Sequence, residues 1–238
     1  MMAEKGVPMV LAILLTLVVG ALIGVINGVI VVRSGVHPMI VTLGVSQALN
    51  GISFLFSNGI PIYGFPDSFS KLGQGSIGAV PISLIIMVII MIIGHFILSR
   101  LPYGRYLYAV GSNEESAKLA GVNTGTVKII AHTLSAFLTA IAAVLLLSRT
   151  NSGLSSNGAG FEFNVITACV LGGVSVTGGY GKITGVVIGA VMIATIDSAI
   201  PQLGIGNSMI TEFIKGILLL FAILLNVILQ RVADKQAL

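Results

Sequence analysis

Apolar residues fill seven stretches of this chain, and polar residues crowd into the gaps between them. The stretches are 7–32, 39–56, 80–98, 127–147, 163–176, 183–200 and 209–229. A bilayer crossing takes about 20 predominantly apolar residues, and six of the stretches approach or exceed that. The first is too long for a signal-peptide core, and no small-residue cleavage site follows it. The stretch 163–176 is short for a crossing and is read as a short span rather than a re-entrant piece. The expectation is an all-α polytopic membrane protein with about seven transmembrane helices, organised as a single domain over residues 1–238.

Composition agrees with the pattern. Of the 238 residues, 55% are hydrophobic and 8% charged, and the mean hydropathy is +1.07. A soluble domain carries roughly 25% charged residues, so this chain cannot cover its surface with charge and lipid must be its main solvent. The net charge of +4 gives no indication of a nucleic-acid partner. A single cysteine, Cys169, excludes an intramolecular disulfide.

The basic residues matter by position, because cytoplasmic loops are enriched in Lys and Arg. With seven spans, one side receives eight of them: Arg33, Arg100, Arg105, Lys118, Lys128, Lys182, Arg231 and Lys235. The other side receives four, Lys5, Lys71, Arg149 and Lys215. The eight-residue side is therefore the cytoplasmic one. This puts the loop 99–127 and the C-terminus inside and the N-terminus outside. If 163–176 does not cross, the assignment changes for everything after it.

Glycines recur at four-residue spacing, as Gly20, Gly24 and Gly28 in the first span and as Gly181, Gly185 and Gly189 at the start of the sixth. Such stripes let two helix backbones approach closely and are read as packing faces within the chain. The run GGVSVTGGYGKITG, 172–185, invites a phosphate-loop reading. It fails the required spacing, because Val176 stands five residues before Gly181 and Ile183 follows Lys182. A tight turn between two packed helices accounts for it. His37, His95 and His132 have no carboxylate or cysteine at metal-ligand spacing, so no metal or other cofactor is expected. Nor is there a nucleophile elbow or a carboxylate pair within a span, and no catalytic residue is assigned. Asp197, near the end of a span, reads as an acid that reaches the outer interface. Glu212 and Lys215, three residues apart, read as a mutually neutralising pair.

One polar segment stands apart. The run GSNEESAKLAGVNTG, 111–125, holds Ser112 three residues before Glu115, the spacing of a capping box. Glu114 and Glu115 fall in a first helical turn, where the helix dipole favours acids, and Lys118 falls near the other end. Gly121 is suited to the position just past a helix. These signals predict a helix over 113–120 with Asn113, Ala117, Leu119 and Ala120 on it. A helix of two turns is not stable alone in water, so something must hold it. Ala117 and Ala120 share a shallow face that suits a groove on a partner; a helix lying on the membrane surface is the alternative.

At these residues the chain resembles a known family. YGRYLYAVGSNEESAKLAGVNTGTVK, 103–128, looks like the cytoplasmic loop of sugar-type ABC importer permeases, the ribose, xylose and arabinose group. HPMIVTLG at 37–44, the stretch from SRTNSG to GAGFEF at 148–163, and LGGVSVTGGYGKITGVVIGA at 171–190 resemble other segments of that family. Ser116 stands where the family usually has alanine, and Val174 where it usually has threonine. The family fold has about ten spans, each about 30 residues with its loop. The first span here, with GALIGVING at 20–28, resembles the fourth of that fold. Three spans would then be absent, the Gly20, Gly24 and Gly28 face would be unusually exposed, and the isolated chain would be poorly stable or inactive.

The resemblance implies a permease subunit of an ATP-driven importer in the bacterial inner membrane. It would carry a monosaccharide or similar small polyol, with ATP hydrolysis in a separate subunit and no chemistry of its own. It implies three protein partners besides membrane lipid: an ABC ATPase subunit, an extracytoplasmic sugar-binding protein and a second permease copy. The loop 99–127 would carry the ATPase-coupling helix, with Ser112, Asn113, Glu114, Glu115, Ala117, Leu119, Ala120 and Gly121. Asn50, Ser53 and Phe54 would line the substrate pathway, and Arg149 and Glu162 would meet the binding protein. The absence of paired charges inside the spans also speaks for an uncharged solute. Importers of autoinducer-type signals, nucleosides or branched-chain amino acids share the fold and remain alternatives, as does an inactive remnant.

Overall fold

The computed structural model describes residues 6–202 and 208–236. Its helices are α1 (Met9–Ser34), α2 (Pro38–Ser57), α3 (Asp67–Gln74), α4 (Ile82–Arg100), α5 (Pro102–Ser112), α6 (Glu114–Leu119), α7 (Thr124–Thr150), α8 (Phe161–Leu171), α9 (Ile183–Gln202) and α10 (Ser208–Gln236). The described strands are β1 (Ser76–Ile77) and β2 (Val80–Pro81), which pair antiparallel as Ser76 with Pro81 and Ile77 with Val80. The chain divides into two compact units, one of residues 1–93 and 121–157, the other of 94–120 and 158–238.

Among the described residues five helices are long and apolar enough to cross a membrane: α1, α2, α4, α7 and α9. The apolar part of α10 among the described residues is the shorter Phe213–Leu224. The expected span at 163–176 takes a different form. Its helix, α8, has 11 residues and ends at Leu171, where Gly172 donates its N–H back to Ala168. At 1.5 Å per residue this is about 16 Å, half of a hydrocarbon core of about 30 Å. The glycine pair that follows the helix stops it before it can reach across.

In the first unit α1 packs along α7 through its glycines. A Cβ on Gly20 would lie 2.6 Å from the Ala140 Cβ, one on Gly24 2.6 Å from the His132 carbonyl oxygen, and one on Gly28 2.8 Å from the Ile129 Cα. Gly24 and Gly28 are buried. The expectation that this glycine face lies open is therefore overturned, because α7 covers it. Between membranous helices there is little hydrophobic drive, and close van der Waals contact of small residues takes its place.

The polar stretch between α2 and α4 also hides a helix that its apolar pattern did not reveal. Helix α3 buries Phe69 to 2% exposure, against Phe65, with ring centroids 5.3 Å apart. It is strapped to the end of α7 by Ser148, which is fully buried. The Ser148 hydroxyl donates to the Phe69 carbonyl at 2.6 Å and accepts from the Gly73 N–H at 2.6 Å. Gln74 Nε2 donates to the Arg149 carbonyl at 2.9 Å, and Ser70 donates to Asn151 Oδ1 at 3.0 Å.

In the second unit α8 packs on α9 in the same manner as α1 on α7. Glycines meet directly here: a Cβ on Gly185 would collide with the Gly172 carbonyl oxygen, and one on Gly189 with that of Ala168. Both glycine stripes thus serve packing within the chain.

In an ordinary helix interior, glycine to alanine is worth about 1 kcal/mol of added stability. At Gly24 the sign should reverse. G24A is expected to cost about 1–3 kcal/mol by overpacking against the α7 backbone. G44A, where nothing lies within 4 Å of the new methyl, should be neutral or stabilising. Thermal unfolding in detergent, followed by a thiol-reactive fluorophore at Cys169, reads both. A G24A chain as stable as its parent would remove the close-approach account of the α1–α7 packing.

Candidate functional site

The polar segment after α5 folds as a second, separate helix because Asn113 breaks the first. Its backbone is extended, with φ −157° and ψ 106°, and its side-chain oxygen accepts the Ser116 N–H at 2.9 Å. Asn113 is thus the N-cap. The expected capping box from Ser112 to Glu115 is displaced by one residue, and Ser112 is the last residue of α5. Both residue types cap well, and the extended backbone at 113 decides between them. Glu114 and Glu115 do fall in the first turn. Glu114 pairs with Lys118 at 3.2 Å across one turn. Gly121 follows with φ +82°, a left-handed conformation that glycine adopts without penalty.

The expected alanine face is divided. Ala117 is buried at 4%, whereas Leu119 is 91% exposed. Ser112, Asn113, Glu115, Ser116, Ala120 and Gly121 are exposed with Leu119. The surface that α6 offers is therefore built around Leu119 and Ala120, not around Ala117 with Ala120. The helix has fewer than two full turns, and its leucine is turned almost wholly outward.

Helix α6 follows directly from α5, which is seated on the glycine turn after α8. The end of α5 lies directly on it: a Cβ on Gly111 would sit 2.5 Å from the Gly179 nitrogen, and one on Gly178 would sit 2.8 Å from the Gly111 carbonyl oxygen. Tyr108 donates its hydroxyl to the Gly181 carbonyl at 2.7 Å. The turn is closed by the Ser175 N–H donating to the Tyr180 carbonyl at 2.9 Å, with Gly178 at φ +98° and Gly179 at φ +75°. The stretches 103–128 and 171–190, read apart in the sequence, are thus joined at 111 and 178–179. Tyr108, Gly178 and Gly179 are the positioning residues that the sequence reading did not assign. The only signal for them was the density of glycine itself.

The other anticipated residues are dispersed. Ser53 of α2 donates to the Ser155 hydroxyl at 3.0 Å, and Ser57 bonds the same hydroxyl at 2.8 Å. They line a cavity of about 300 Å³ with Ile62, Phe65 and Leu147 among its walls. Asn50 and Phe54, on the same helix, are exposed. Arg149 is exposed in the first unit, and Glu162 is exposed in the second, in the first turn of α8.

Lys215 departs from expectation. Its ammonium lies 2.5 Å from the Asp197 carboxylate, joining α10 to α9. The expected absence of paired charges within the apolar stretches is corrected, because Asp197 has this partner. Lys215 had been matched to Glu212, whose side chain lies outside those described. The pair was hidden because its members are 18 residues apart on different helices.

Comparison with known proteins places the chain. It is 36% identical over 227 residues to the ribose import permease protein of Haemophilus influenzae, covering 94% of this chain and 70% of that protein. It is 35% identical over 227 residues to the ribose import permease protein of Bacillus subtilis, with the same coverage. It is 35% identical over 201 residues to the L-arabinose transport system permease protein of Escherichia coli, covering 84% of this chain and 61% of that one. No solved structure matches the chain. The family described as branched-chain amino acid transport system, permease component, matches residues 1–223. With five helices able to span a membrane and this match over nearly its whole length, the chain is a multi-pass membrane protein that belongs to that permease family.

Proposed function

We propose that this chain is the permease subunit of an ATP-driven importer for a monosaccharide or similar small polyol, and that α6 is the helix through which its ATPase acts. The observation that carries the reading is the capped, seated α6 with Leu119 turned outward. A channel working alone has no use for such a helix. The relatives support the substrate class, since two are ribose permeases and one is an L-arabinose permease. Partners follow from the same reading: an ATPase on the cytoplasmic side, an extracytoplasmic sugar-binding protein and a second permease copy.

Importers work by alternating access. ATP binding in the partner favours one of two packings by contacting them differently, and the bias is bounded by that difference in contact free energy. In this chain the bias would enter at Leu119 and Ala120. It would then pass through the end of α5 to Gly178 and Gly179, and so to the start of α9.

The orientation stands without α8. Up to residue 149, five basic residues fall on the side of α6 (Arg33, Arg100, Arg105, Lys118 and Lys128) and three on the other (Lys5, Lys71 and Arg149). That excess supports a cytoplasmic α6 whichever way the later chain runs.

The description of the matched family favours a second reading, import of a branched-chain amino acid.

Three measurements test the proposal. In a C169A background, S116C should resist a membrane-impermeant thiol reagent in intact cells and react after permeabilisation. Ready labelling of intact cells would invert the topology. L119R with A120R should abolish co-purification of the ATPase subunit while the permease still elutes as a single species. Unchanged co-purification would leave α6 as a surface helix only. The cognate binding protein should take up pentoses or hexoses in calorimetry; heat from branched-chain amino acids alone would transfer the proposal to the second reading.

A further inference from the structure

The second unit holds a cavity of about 460 Å³ between α8 and α10, lined by Gly160, Phe161, Phe163, Asn164, Thr167 and Lys215 with Ala159, Gly216 and Leu219. Its size falls within the 300–1,000 Å³ of small-molecule sites, and its makeup is the usual one, mostly apolar walls with a few convergent polar groups. Two of those polar groups have hydrogen-bonding capacity left over. The Asn164 amide makes no hydrogen bond among the described residues, although it is partly buried. Thr167, 1% exposed, spends its hydroxyl proton on the Phe163 carbonyl at 2.6 Å and adds closed wall rather than an accessible polar atom. Lys215 commits its charge to Asp197, yet an ammonium has three N–H donors.

We infer that this cavity is a binding site for an uncharged, hydroxyl-rich solute on the transport route, a reading that rests on the proposed sugar import. The charge arithmetic selects the solute. An ionised group inside a membrane protein is expensive unless paired, and one that persists marks a functional position. Lys215 is already paired, so the cavity presents no net charge to attract an anion. Asp197 is not among the cavity walls, so a zwitterion would find one neutralised cation and no carboxylate for its ammonium. What remains are N–H donors at Asn164 and Lys215 and the Asn164 carbonyl as acceptor, which match hydroxyls that both donate and accept. The Phe161 and Phe163 rings, 58% and 54% exposed, offer flat apolar surface to the C–H face of a sugar ring. Gly160, at φ +79°, begins α8 without a side chain that would narrow the cavity.

The test uses the full chain in lipid nanodiscs, carrying C169A and a reporter cysteine at the cavity rim, A159C. A small water-soluble thiol reagent is added with D-ribose or with L-leucine as probe. D-Ribose is expected to slow labelling severalfold and saturably, and L-leucine to leave it unchanged. N164L, which keeps the shape and removes the amide, should raise the half-protecting D-ribose concentration about tenfold, equivalent to about 1.4 kcal/mol. N164A serves where N164L does not elute as a single species, and protection in the parent is informative without either. Absence of protection by D-ribose, or equal protection with N164L, overturns the site. If the cognate binding protein still binds sugars, sugar import survives that failure. Protection by L-leucine alone, with a binding protein that takes only amino acids, overturns both.

Discussion

Backbone meeting backbone at glycine is the constraint on which the rest of this protein depends. In water, two helices are driven together by the apolar surface they hide. In lipid that drive is largely gone, and close packing of small residues must supply the cohesion. The chain meets this demand in three places: along Gly20, Gly24 and Gly28 against α7, between Gly172 and Gly185, and where the end of α5 rests on Gly178 and Gly179. The first two hold helices side by side. The third seats the end of α5, from which the short polar helix α6 directly follows, on the glycine turn after α8.

Polar groups in the same setting obey a complementary rule. Each must find a partner within the protein or face an aqueous space, because lipid offers none. Ser148 illustrates the first case, with its one hydroxyl bonded on both sides to the backbone of α3. Asp197 and Lys215 illustrate it for charge, each neutralising the other. Asn164 belongs to the second case, facing a cavity wide enough for solvent or solute.

Much of this was legible in the sequence. Apolar runs located the five helices long and apolar enough to span to within about three residues, since length and hydropathy are properties of local sequence. The acids of the first turn of α6 and the glycine after it were legible for the same reason, and the cap was misplaced by one residue only because Ser112 and Asn113 compete for it. What could not be read was pairing between distant segments. The glycine stripes identified packing faces, but nothing along the chain says that Gly24 meets His132 or that Gly111 meets Gly179. The Asp197–Lys215 pair was lost to a nearer partner, and α3 escaped notice because eight residues are too few for a crossing, although Phe69 and Leu72 are spaced to share one helix face.

The contact of Gly111 with Gly179 has a mechanical consequence. A side chain squeezed by a neighbour can change rotamer and absorb a displacement of an ångström or more. Main-chain atoms in van der Waals contact have no such slack, because bond angles stiffen quadratically when forced. The joint between the end of α5 and the glycine turn is therefore stiff in compression. In the proposed role of α6, a push delivered there would reach the glycine turn without first being absorbed by a side chain.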